Sequence, residues 1–241
     1  MIAGGAAIAR IALFLAAAVI PAAAQPVLWA WERPEELASL PPAYEVAAIV
    51  GVIELRGEAM TARGRRFPLA LATEAAPPIG VIHIEIDPAI PLRWTPTLRA
   101  QVTEAALSYA GPYRSVQIDM EVRHSQRAVL LDVLSGVRAG LPAGATLSMT
   151  ALASWCDTER WLAAAPVDEI VPMLFRMGKR GQRLRAKLES GGDFAEPRCR
   201  TALGISLDAP TAFPPGRRVY VFNPRVWDAA SVAALVSQEI R

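Results

Sequence analysis

The sequence predicts an irregular (β/α)8 barrel of the TIM type, an α/β architecture in which some helices are missing or replaced by a hairpin. Three observations carry this reading. Eight short β-rich runs recur along the chain, helical stretches with apolar spacing near three and four lie between several of them, and two of the runs pair an oily face with an ionisable one.

The first 24 residues stand apart. Arg10 precedes the apolar run Ile11 to Ile20, and Pro21 with Ala22-Ala23-Ala24 leads to Gln25, which is the charged, apolar, A-x-A layout of a cleavable signal peptide. The run is shorter than the ~20 apolar residues a membrane span needs. The expected organisation is therefore a signal peptide over 1–24 and a single barrel domain over 25–241, periplasmic or secreted, meeting a membrane only during export. No linker, low-complexity tract or internal repeat divides the remainder.

The β-rich runs are Val27 to Trp31, Val46 to Leu55, Gly80 to Asp87, Val116 to Val122, Thr146 to Leu152, Glu169 to Phe175, Ala202 to Leu207 and Val219 to Phe222. Helices are expected at Thr95 to Ala110, Ser125 to Ala139, Asp157 to Ala164, Gln182 to Leu188 and Ala229 to Ile240. Thr95 with Pro96, Ser125, Asp157 and Asp228 are suitable first caps, while Gly111-Pro112 and Gly140-Leu141-Pro142 are breakers. Two connections depart from the rhythm. After Leu55 the chain turns through Arg63-Gly64-Arg65-Arg66 and returns as Phe67 to Leu71, a hairpin, and the link from Leu207 to Val219, rich in proline, has no room for a helix.

The strand faces choose the barrel over an open doubly wound sheet, whose central strands are apolar on both faces. In the third run Ile82, Ile84 and Ile86 oppose Val81, His83, Glu85 and Asp87; in the fourth, Val116, Ile118, Met120 and Val122 oppose Gln117, Asp119, Glu121 and Arg123. With the oily side on the outer helices, the ionisable side points into a barrel, and residues late in each strand reach its C-terminal mouth. A G-x-G-x-x-G phosphate fingerprint is absent, which argues further against a dinucleotide fold.

The formal net charge of +2 gives no support to nucleic acid as a partner. The basic clusters Arg63 to Arg66 and Lys179 to Arg185 read as solvated faces. Two cysteines, Cys156 and Cys199, would meet an oxidising compartment as a disulfide, although one follows a strand and the other precedes one. Two cysteines and two histidines are a thin supply for a metal site; His83, Glu85 and Asp87 share a face but climb ~6 to 7 Å per position along it, so no metal or other cofactor is expected.

The sharpest chemical signal is Asp119 with Glu121, two apart and thus on one strand face. Neighbouring carboxylates resist double ionisation, which lets one serve as an acid near neutral pH and protonate a leaving oxygen, as in glycoside cleavage. Gln117-Ile118-Asp119-Met120-Glu121 resembles the tail of the D-x-D-x-E signature of chitinase-like glycoside hydrolases of family 18, carried on the fourth barrel strand. The resemblance implies Glu121 as general acid and Asp119 as its partner, with Gln117 where the first Asp would stand. Pro172-Met173-Leu174-Phe175-Arg176 resembles the sixth-strand M-x-Y-D pattern, with Phe175 for the Tyr and Arg176 for the Asp, which removes the hydroxyl and carboxylate that hold an acetamido group.

Over nearly its whole mature length the sequence resembles an exported bacterial family known only as a domain of unknown function. The stretches that carry this are Val27 to Pro34, the Asp119 strand, Leu147 to Cys156 and Asp168 to Gly178. That resemblance implies fold and export and no activity.

The remaining ligand candidates are Trp31 and Trp155, whose flat rings could pack on a sugar face, Glu85 or Asp87 as a second carboxylate, and Gln117, Met173, Phe175, Arg176 and Asn223 near strand ends. Two functions follow. One is a glycoside-hydrolase-like exported protein acting on a glycan or oligosaccharide, and the other a catalytically silent barrel that binds saccharide or an envelope protein partner through the same mouth.

Overall fold

A computed structural model describes residues 25–72, 77–209 and 213–237. The expected signal peptide, residues 1–24, lies outside the described residues, as do Pro210 of the proline-rich link and the end of the last expected helix. In chain order the strands are β1 (Val27–Ala30), β2 (Glu35–Leu37), β3 (Glu45–Arg56), β4 (Ala59–Gly64), β5 (Leu69–Leu71), β6 (Ile79–Ile86), β7 (Ser115–Asp119), β8 (Thr146–Leu152), β9 (Glu169–Met173), β10 (Ala202–Ser206) and β11 (Arg218–Phe222). The α-helices are α1 (Pro96–Ala110), α2 (Arg127–Gly140), α3 (Ala153–Thr158), α4 (Gly178–Glu189) and α5 (Ala229–Ser237).

Eight of the strands, β1, β3, β6, β7, β8, β9, β10 and β11, pair in parallel with their neighbours, and β1 closes the ring by pairing with both β3 and β11. This is a closed eight-stranded α/β barrel, and each of its strands coincides with one of the eight β-rich runs. Five α-helices are described, fewer than the eight of a regular (β/α)8 barrel. Helices follow β6, β7, β8, β9 and β11, while β1 is joined to β3 through β2, and β3 to β6 through β4 and β5. The described part of the β10–β11 link holds no helix.

The hairpin after β3 differs in place from the sequence expectation. β3 runs on to Arg56 and turns at Gly57-Glu58, and β4 returns antiparallel over Ala59–Gly64. Gly57 has φ 61°, the positive value that tight hairpin turns demand of their first loop residue. Residues after Gly64 then leave the hairpin, and Leu69–Leu71 pairs with Glu35–Leu37 as a separate two-stranded parallel ribbon. Arg63 and Arg65 are half-buried and bonded to the protein, which corrects the reading of a solvated face: Arg63 bonds Glu32 at 2.9 Å, and Arg65 donates to the carbonyls of Arg33, Ile49 and Phe67.

Helix starts match their caps in part. Thr95 Oγ1 accepts from Leu98 N at 3.1 Å with Pro96 in the first turn, and Asp228 Oδ1 accepts from Ser231 N at 2.7 Å. At α2 the cap shifts, because His124–Gln126 forms a 3-10 turn in which the Gln126 side chain accepts from Arg123 N. The helix expected over Asp157 to Ala164 resolves into α3 and a separate 3-10 turn at Trp161–Ala164.

Two apolar bodies result. Outer faces of the strands, among them Ile82, Ile84, Val116 and Ile118, pack with the buried stripes of α1 and α2. Inside the barrel a smaller cluster holds Val27, Trp29, Ala47, Ile49, Val52, Ile79, Val81, Val171, Tyr220 and Phe222. The oily side of each two-faced strand therefore lies outward and the ionisable side lines the lumen, as the alternation requires.

Cys156 and Cys199 form a disulfide with Cα atoms 5.9 Å apart. They meet although one follows a strand and the other precedes one: Cys156 sits in α3, and Glu196 N, three residues before Cys199, donates to its carbonyl. Arg198 then binds the carbonyls of Leu162, Ala163, Ala165 and Val167, so the two segments run side by side on the outer wall.

Candidate functional site: the barrel mouth

The lumen is filled in layers from the bottom. Tyr220 donates to Glu169 at 2.6 Å, and Arg218 joins Glu169 and Glu45, a polar plug among the N-terminal strand ends. Burial and the neighbouring Glu169 carboxylate hold the Tyr220 hydroxyl protonated far above the usual range. Above it, Trp29 Nε1 donates to Gln117 Oε1 at 2.8 Å, and Gln117 Nε2 donates to Ser148 Oγ at 3.2 Å. Gln117 is completely buried and lines neither cleft at the mouth, so it serves as a core amide with satisfied partners.

The next layer carries the ionisable groups. His83 Nδ1 lies 2.8 Å from Asp119 Oδ2, and Thr150 Oγ1 donates to Asp119 Oδ1 at 2.6 Å. Parallel pairing sets His83 beside Asp119, and β7 pairs in turn with β8, which carries Thr150, so three adjacent strands place this chain of contacts. Asp119 is thus engaged on both oxygens by residues other than Glu121. Burial pushes the His83 imidazole down, but the hydrogen bond and charge of Asp119, with Glu85 adding, outweigh it, and the net direction is up despite Arg63 nearby.

One pleat higher, Glu85 and Glu54 stand directly opposite each other on β6 and β3. Both line a cleft of about 390 Å³ that also includes Trp31, Glu32, Arg63, His83, Phe222 and Asn223. Arg63 bonds Glu32 through Nη2 only, and its Nη1 is buried without a hydrogen-bond partner among the described residues. The apolar wall is a ring sequence: Trp31 stands edge-on to Trp29 at 4.5 Å, Trp29 stacks on Phe222 at 4.8 Å, and Phe222 meets Phe175 at 4.7 Å.

Phe175 and Arg176 also border a second cleft, of about 740 Å³, lined by Glu121, Met173, Ser154, Asp157 and Arg183. β7 ends at Asp119, so Glu121 follows the strand end and is exposed. Arg176 takes φ 54°, the single left-handed non-glycine residue among the described ones, a costly conformation that recurs at functional sites.

The other sequence candidates lie elsewhere or do other work. Asp87 accepts from Ala89 N and pairs with Arg56, which makes it a turn residue beyond the end of β6. Trp155 is buried on the outer wall against Trp161 and lines neither cleft. Asn223 lines the smaller cleft, but its amide is occupied by Val226 O and Arg225 N. Glu54 and Thr150 escaped the sequence reading, Arg63 entered it only as part of a solvated basic run, and His83 only as a metal candidate. Among the described residues no group of three His, Cys, Asp or Glu is placed to hold a metal ion. Comparison of the chain with protein families, with curated proteins and with solved structures finds no match.

Proposed function

We propose that the barrel mouth binds a saccharide and hydrolyses it in the manner of a glycoside hydrolase, with Glu121 as a catalytic carboxylate. The observation that carries this is the meeting of the Trp31–Phe222–Phe175 wall with carboxylates at the C-terminal strand ends. A flat ring face suits the apolar side of a sugar, and carboxylates beside it suit hydroxyl binding and proton transfer. The resemblance to family 18 agrees with Glu121, while Phe175 and Arg176 depart from the residues that serve acetamido sugars. A second reading, a silent saccharide-binding barrel, is favoured by Asp119, whose oxygens are committed to His83 and Thr150.

A panel of oligosaccharides, assayed for cleavage and binding, tests both. Glu121→Gln keeps the shape and removes the acid–base function, so cleavage falls by ~100-fold or more while binding survives. If parent and variant bind equally and neither cleaves, the silent reading takes its place.

We further infer that the protein works outside the cytoplasm, as the A-x-A leader and the Cys156–Cys199 disulfide favour. Among the described residues no helix is long and apolar enough to cross a membrane. Intact-mass analysis of exported protein should find an N-terminus at or within two residues of Gln25; a form retaining Ile11 to Ile20 refutes it.

A further inference from the structure

We propose that His83 is the proton donor of the mouth, a catalytic residue held in place by the relay Thr150–Asp119–His83. This rests on the hydrolase reading above, and it assigns the acid role to the imidazole and the base role to Glu121, which borders the adjoining cleft beyond Phe175 and Arg176.

The geometry is that of a built acid rather than an isolated side chain. Thr150 fixes one oxygen of Asp119, Asp119 fixes Nδ1 of His83, and the imidazole borders the smaller cleft with a side chain 29% exposed. Because Asp119 accepts at both oxygens, Nδ1 carries the hydrogen of that bond, and Nε2 is left as the nitrogen that gains or loses a proton. The charged groups around the ring are Asp119 from β7, Glu85 from its own strand and Arg63 from β4, with Glu54 next to Glu85 on β3. Burial lowers the imidazole's pKa, but the hydrogen bond and charge of Asp119 with the charge of Glu85 outweigh it and raise it on balance, and the same cleft also holds Glu32, Arg33 and Arg176. By contrast, Glu121 is exposed and has no hydrogen-bond partner among the described residues to orient it.

The step balances with water alone. The glycosidic carbon–oxygen bond breaks, its electron pair stays on the leaving oxygen, and that oxygen takes the proton from His83 Nε2. Water adds to the anomeric carbon and gives its proton to the Glu121 carboxylate, and the proton returns to His83 through solvent.

Aryl glycosides with good and poor leaving groups separate the roles. Loss of a general acid harms the poor leaving group most, so His83→Gln should lower its cleavage by ~100-fold and that of the good one by less than ~10-fold. Glu121→Gln should slow both. Asp119→Asn, which keeps the relay's shape if His83→Gln folds poorly, should move the alkaline limb of the pH–rate profile to lower pH, and the imidazole resonance of His83, one of only two histidines, should shift with it. Equal losses on both leaving groups with His83→Gln, or an alkaline limb unmoved by Asp119→Asn, overturn the donor assignment and leave the hydrolase reading standing. No turnover of any glycoside by the parent protein overturns both.

Discussion

Gly51 shows how a single residue aims a functional side chain. The pairing of β3 with β6 slips between Ile49 and Gly51, a bulge that inserts one residue into the strand. Ala47 and Ile49 face the lumen below it, and Val52 and Glu54 face the lumen above it, while Ile53 and Leu55 join the outer core. A strict period of two would have sent Glu54 outward, which is why alternation did not reveal it. A Cβ on Gly51 would sit 2.4 Å from the Tyr109 ring, so the bulge is packed shut by α1. Gly51→Ala should therefore destabilise by about 1–3 kcal/mol, in the range of core overpacking. A denaturant midpoint unchanged from the parent would show that Tyr109 moves aside freely.

At the scale of elements, the sequence made the barrel strands legible because burial on the outer face is written as an unbroken alternation of apolar residues. Ile82, Ile84, Val116 and Ile118 needed no knowledge of their partners to be placed. What could not be read was anything set by pairing between strands. The Glu54–Glu85 juxtaposition and the His83–Asp119 contact depend on parallel register between distant segments, and register leaves no local trace. Charge likewise misled the reading at Arg63 and Arg65. Their run suggests a solvated turn, yet the turn lies at Gly57-Glu58, where one residue with positive φ suffices, and the guanidinium groups bind Glu32 and three backbone carbonyls. The early end of β7 also moves Glu121 off the strand face it was expected to share with Asp119. The pair of acids became instead an acid–imidazole pair in one layer and an exposed carboxylate above it.

Across the whole molecule, barrel closure and the disulfide act on different parts of the chain. Closure is made by β1 alone, pairing on one side with β3 and on the other with β11, and Trp227 Nε1 adds a bond to the Trp29 carbonyl from the C-terminal segment. The disulfide spans 43 residues and encloses β9 and α4, the part of the wall that presents Phe175, Arg176 and Arg183 to the mouth. Its cysteines are completely buried, so a reductant reaches them only when the wall opens. Restricting the unfolded chain over a loop of this length stabilises by about 2–4 kcal/mol. Replacing both cysteines by serine should lower stability by that amount, with some added cost for the buried hydroxyls. Thermal unfolding of the double variant should come several degrees below the parent, and the parent should resist dithiothreitol in native buffer while losing the bond in denaturant. Because the loop includes one side of the larger cleft, oligosaccharide binding should weaken in the double variant before global unfolding begins. Equal melting temperatures for parent and variant would show that the outer wall is held by Arg198 and its carbonyl partners without help from the bridge.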